Sequence, residues 1–124
     1  MTEFEEDFVN EELVEFEIDG RKFKYKPTTA GDESLWVDEY MEIDETGKPK
    51  QNLQKVTECK IRNLKEVPYG QETIGKITGI AKEWKELSKE ERWKLIAKLK
   101  PGMFDKIVRK INEIDAPESE VKKN

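Results

Sequence analysis

The dipeptide Asp19-Gly20 constrains this chain more than any other feature of its sequence. A two-residue type I′ turn needs positive φ at both central positions, and Asp-Gly is among the pairs that accept this at least cost. Folding about the turn pairs Glu17 with Lys22, Phe16 with Phe23, Glu15 with Lys24 and Val14 with Tyr25. One face of the hairpin then carries Val14, Phe16, Phe23 and Tyr25, and the other carries two Glu–Lys pairs. Turn chemistry, alternation and cross-strand charge agree on a hairpin over residues 13–26. A lone hairpin is marginal in water, so its apolar face must cover something, and the chain beyond it reads as helical.

Pro27 closes the second strand. A first helix is predicted from Thr29 or Gly31, presenting Trp36, Val37, Tyr40 and Met41 on one face. Residues 44–51 read as a polar Gly/Pro loop. A second helix over about 52–66 places Leu53, Val56, Ile61 and Leu64 in one apolar sector, and Pro68-Tyr69-Gly70 ends it. Helical spacing resumes from Glu72 to Leu87, where Gly75 and Gly79 predict two short helices bent near Gly79 or one weak helix. Ser88-Lys89-Glu90-Glu91 is a capping box opening a helix to about Leu99, with Trp93, Ile96 and Leu99 inward. Pro101 suits the first turn of a last helix, striped by Met103, Phe104, Ile107, Val108, Ile111 and Ile114.

The fold class expected is mainly α with an N-terminal β-hairpin, an α+β domain of about four to five helices. Residues 13–115 form that single domain, with the hairpin at 13–26 and the helices within 29–114. Residues 1–12 are an acidic arm, disordered or a short helix, with Thr2 and Glu5 at capping-box spacing and Phe4 and Phe8 on one face. Residues 116–124 read as a disordered tail.

Charge is unevenly divided. The whole chain of 124 residues carries −5, but residues 1–20 alone carry −9 with no base, leaving +4 on the rest. Such an arm is either a solvated tail or a segment that docks on a basic partner or on another copy of the body. The chain has no histidine, which removes Ser-His and Cys-His nucleophiles and imidazole metal sites. The expected protein is not an enzyme and needs no cofactor or metal. The single cysteine, Cys59, fits a reducing, cytoplasmic setting, and it reads as a small half-buried side chain rather than a nucleophile. No run reaches the roughly 18 apolar residues of a membrane span, and none near the N-terminus resembles a signal peptide. Lys and Glu dominate while Gln is confined to positions 51, 54 and 71, a pattern found in proteins from hot environments.

Other motifs are better explained by chance. Gly70 to Lys76 matches the opening of a phosphate loop, but Ile77 stands where Ser or Thr must hold Mg²⁺, so helix breaking is the better explanation. Asp44-Glu45 lacks the spacing of a calcium loop. Carboxylates are too frequent for an acid–base pair to be singled out. Lys82 to Lys110 holds ten bases against five acids, with Trp84 and Trp93 among them. That composition admits a weak nucleic-acid contact, but the tryptophans lie on apolar stripes and the bases alternate with Glu as on a solvated face.

Residues 16–32, from Phe16 through Asp19-Gly20 to Thr28-Thr29-Ala30-Gly31-Asp32, resemble the N-terminal hairpin and following Thr-x-Gly-Asp-like segment of phage tail assembly chaperones. Glu83 to Arg92, with Leu95-Ile96 and Leu99-Lys100-Pro101, is similar to the helical end of such proteins. The likeness spans about residues 13–115 and leaves the 44–51 loop unmatched. It implies a non-enzymatic protein of a virus or prophage, working in the host cytoplasm. Such a chaperone binds the helical tape-measure protein, often self-associates, and yields to tail-tube subunits. Some members also exist in a longer frameshifted form, and codons for Lys122-Lys123-Asn124 can form the run of A on which ribosomes slip.

On this reading the partner-binding candidates are Phe4 and Phe8 on the arm, Val14 and Phe16 on the hairpin edge, and Lys94, Lys98 and Arg109 on the basic helices. The unpaired edge from Leu13 to Ile18 could add a strand from a neighbouring subunit. Two other classes stand beside it: a small protein-binding adaptor or regulator of a mobile element, and a weak nucleic-acid binder using the 82–110 face.

Overall fold

The computed structural model describes residues 4–116. In chain order the elements are β1 (Val14–Ile18), β2 (Arg21–Tyr25), α1 (Ala30–Tyr40), β3 (Met41–Ile43), β4 (Pro49–Gln51), α2 (Leu53–Ile61), β5 (Leu64–Glu66), α3 (Gln71–Thr78), α4 (Lys89–Ile96) and α5 (Pro101–Asp115). Short 3-10 turns occupy Glu5–Asp7 and Trp84–Glu86. This is a small α+β domain with five α-helices and an N-terminal hairpin among the described residues, as the sequence predicts.

The hairpin has the predicted register, Val14 opposite Tyr25, Phe16 opposite Phe23 and Glu17 opposite Lys22. Asp19 and Gly20 sit at φ 51° and 81°, the two positive values a type I′ turn requires. Phe16 and Phe23 stack at 5.2 Å between ring centroids. Ile18 joins them on the inner face, whereas Val14, at the open end, is partly exposed.

Three assignments differ from the sequence-based expectation. Leu64 ends no helix: α2 stops at Ile61, and Leu64–Glu66 pairs antiparallel with β2, giving a sheet of order β1-β2-β5. The free edge of β2 offers those residues ladder hydrogen bonds, Leu64 turns fully inward, and Glu66 meets Lys24 at 3.2 Å. Tertiary pairing has overridden helical spacing. The 44–51 segment is part of a second hairpin, β3 against β4, instead of a loop. Asp44 organises its turn, accepting hydrogen bonds from the Thr46 and Lys48 amides and the Thr46 hydroxyl at 2.6 to 3.0 Å. Met41 therefore starts a strand, and Val37 is left partly exposed. Third, α4 ends at Ile96 rather than Leu99.

Gly79, at φ 81°, ends α3, and Gly75 permits the chain to fold back: a Cβ there would lie 3.2 Å from the Ala81 Cα. The Gly70–Lys76 run is thus the cap and body of α3, not a loop that could wrap a phosphate. The predicted caps at Thr29 and Ser88 are both complete capping boxes.

The inner face of the sheet packs on Ile74, Trp84, Ile96, Ile107 and Ile111. A smaller cluster, Trp36, Tyr40 and Cys59, joins α1 to α2. Two polar knots hold the ends of these layers. Asp32 accepts from the Lys26 ammonium, the Thr29 amide and the Asn63 side chain at 2.9 to 3.1 Å. Asp115, at the end of α5, accepts from the Tyr25 hydroxyl and from the Thr28 amide and hydroxyl, and lies 3.2 Å from Lys60. In the arm, Phe4 stands at φ 67° before the 3-10 turn, with no side-chain cap. Thr2 and the tail from residue 117 onward lie outside the described residues.

Candidate binding groove

Three helix ends meet on one side of the molecule and fail to close over their apolar residues. Asn52 caps α2 by accepting from the Lys55 amide, which sets Leu53 in its first turn, pointing outward and 74% exposed. Ser88 fixes the start of α4 and so the direction of Trp93. Pro101 opens α5 after a turn through Lys98 and Leu99, and places Phe104 edge-on to Trp93 at 6.0 Å. Between them lies an apolar groove of about 500 Å³, lined by Leu53, Thr57, Trp93, Ala97, Leu99 and Phe104 and floored by the buried Ile96.

The α4–α5 side of this groove is basic in sequence, while on the α2 side Gln54 donates to Glu58. From Arg92 to Phe104 the chain has four bases and no acid. The N-terminus of α5 adds a partial positive charge, and no side chain among the described residues caps it. The ten bases of the 82–110 segment divide sharply. Lys82, Lys85 and Lys89 pair with glutamates, and Lys106, Arg109 and Lys110 pair with Asp19, Asp105 and Glu113. Arg92 lies over the Trp84 ring at 4.9 Å and donates to the carbonyls of Trp84 and Arg62. Among the described residues, Lys94, Lys98 and Lys100 alone of the ten make no ion pair or side-chain hydrogen bond, and all three interleave with the groove residues.

The predicted partner residues are not one surface. Phe4 and Phe8 are both exposed on the arm. Val14 lines a separate hollow of about 460 Å³ with Val9, Leu13, Pro27, Thr28 and Ile114. Phe16 does not offer itself to a partner: the strand alternation that makes it apolar turns it against Phe23, where it is 8% exposed. Lys94 and Lys98 are sequence neighbours of the groove residues Trp93, Ala97 and Leu99, whereas Arg109 lies further along α5, 3.4 Å from Asp105. Leu53 and Phe104 are groove residues that sequence reasoning does not mark as partner-binding. Both carry the periodicity of core positions, and only the angle between helices decides that they stay uncovered.

Ionisation elsewhere reflects packing. Burial works against the Asp32 carboxylate, yet its hydrogen bonds from Lys26, Thr29 and Asn63 hold its pKa at about 2. The Arg62 guanidinium, bidentate to Glu39 at 2.6 and 2.7 Å, holds that carboxyl at about 2 as well. Burial pushes the Cys59 thiol up, away from thiolate reactivity. Among the described residues no group of three or more carboxylates and thiols stands close enough to hold a metal ion, and no helix is long and apolar enough to cross a membrane. No protein-family model, curated protein or solved structure matches this chain.

Proposed function

We propose that this chain is a non-enzymatic binding protein of the tail-assembly-chaperone kind, holding a long helical, tape-measure-like client in the cytoplasm during viral or prophage tail assembly. The observation that carries the reading is the apolar groove between α2, α4 and α5, with Leu53 exposed on one wall and the unpaired Lys94, Lys98 and Lys100 next to lining residues in sequence. An amphipathic helix laid there would bury its apolar stripe against Leu53, Trp93, Leu99 and Phe104. Acidic residues on its flanks would meet Lys94, Lys98 and Lys100. Each copy covers a short stretch, so several would sheathe a long client and release it in turn to the tail-tube protein.

Calorimetry with a synthetic helix of roughly 20 residues, apolar at i, i+3, i+4 and i+7 and glutamate-rich elsewhere, tests this directly. The probe should bind the full chain, weaken as salt rises, and lose affinity in L53E but not in R109E. Absence of binding, or equal binding by L53E, would overturn the reading.

A further inference from the structure

We infer that the groove has a resident occupant, the acidic N-terminal arm of a second copy of this chain, which a client must displace. This rests on the proposed groove function and adds a partner and a regulation to it. Residues 4–12 carry Glu5, Glu6, Asp7, Glu11 and Glu12 with no base, and they include two large exposed apolar side chains, Phe4 and Phe8. The groove and its neighbouring positions have the complementary features: an unfilled apolar seam and, interleaved in sequence with its lining residues, three lysines without partners among the described residues. Apolar pair and acidic flank sit on one segment, seam and basic flank on the other.

Within one chain the two halves stay apart. Glu11 pairs with Lys26 at 3.5 Å, and Val9 and Leu13 lie beside Ile114 near the end of α5. The groove opens at the other end of that helix, at Pro101 and Phe104. Phe104 and Ile114 are separated by about 15 Å along the axis at 1.5 Å per residue. Both phenylalanines are left in solvent, so the arm is positioned to reach another molecule. Two copies exchanging arms satisfy both grooves and close the assembly; a one-way exchange extends it into a chain. Phe4 and Phe8 flank the arm's 3-10 turn from Glu5 to Asp7, and both side chains are exposed.

Sedimentation of the full chain at low and high salt tests the inference, with the acidic helical probe as a second readout. Wild type should associate at low salt and dissociate as salt screens the lysines. F4A/F8A, changing only exposed side chains, should weaken association by roughly tenfold or more. K94E/K98E should do the same, and adding E6K/D7K to that variant should restore association. The dissociated F4A/F8A chain should bind the probe at least as tightly as wild type, and wild type should bind it less tightly as protein concentration rises.

Unchanged association in F4A/F8A, or no restoration by the charge swap, overturns the arm inference while leaving groove binding intact if the probe still binds. An arm effect on probe affinity that is independent of protein concentration means the groove takes its own chain's arm, and overturns the second copy. If F4A/F8A fails to bind the probe at all, the groove reading itself fails.

Discussion

Trp84 and Trp93 stand nine positions apart in the same basic stretch, yet the molecule treats them as opposites. Trp84 is sealed: its indole N–H donates to the Leu64 carbonyl at 2.7 Å, Arg92 covers its ring, and it is 5% exposed. Trp93 is half-buried, with Phe104 at its edge and an open groove beyond. The sheet side of the domain uses its apolar residues for closure. The side built from the second hairpin, α2 and the start of α5 leaves Ile43 and Leu53 about three-quarters exposed. Position in an apolar stripe therefore does not make a residue part of the core. What matters is whether another element arrives to cover it, and none of the described residues covers the groove.

Truncation should separate the two sides most strongly at Phe23. That ring is fully buried, stacks on Phe16 and meets Tyr69 edge-on at 6.1 Å, so F23A should cost roughly 3–5 kcal/mol in denaturant unfolding. An effect near that of a surface change would break the comparison at its sealed end.

A pH titration sharpens it next. Asp32 has its pKa held at about 2 from an ordinary 3.8, so the carboxylate stabilises the fold fully above pH ~4. That contribution, about 2 kcal/mol, should fade as pH falls through 4 towards 2 and should be missing from the profile of D32N. Chemical unfolding between pH 2 and 6 reads it.

The two turns provide a smaller contrast. Gly20 and Gly47 have nearly the same positive φ, 81° and 84°. G20A should lower global stability by about 1–2 kcal/mol, because the first hairpin cannot yield without opening the core. G47A should cost less, since β3 and β4 can open locally, and hydrogen exchange should show that loss confined to residues 41–51. Equal global costs would mean that the second hairpin is part of the core's cooperative unit. Smallest of all should be L53A, within about 0.5 kcal/mol of wild type in stability, as befits an exposed side chain.

Legibility in the sequence tracks the range of the interactions involved. The first hairpin is legible because Asp19-Gly20 and the Phe16–Phe23 pair are local and reinforce one another. Thr29, Ser88 and Pro101 are legible as helix starts for the same reason. β5 is not, because Leu64 has helical spacing from Val56 and Ile61 and becomes a strand residue only in the presence of β2. β3 and β4 escape notice because three residues each, one of them Pro49, are too few to establish a period, and the Asx turn at Asp44 is a side-chain event. The basic half of the groove is visible as composition. Which lysines remain unpaired is not, since pairs such as Lys89 with Glu39 and Lys106 with Asp19 join distant parts of the chain.

The three indole N–H resonances test the central claim most directly. In a ¹H–¹⁵N titration of the full chain with the acidic amphipathic probe helix, the Trp93 signal, assigned by its loss in W93F, should shift progressively. Those of Trp36 and Trp84, both buried in their own clusters, should remain in place. A titration that leaves Trp93 unmoved, or shifts Trp84 instead, would contradict the account.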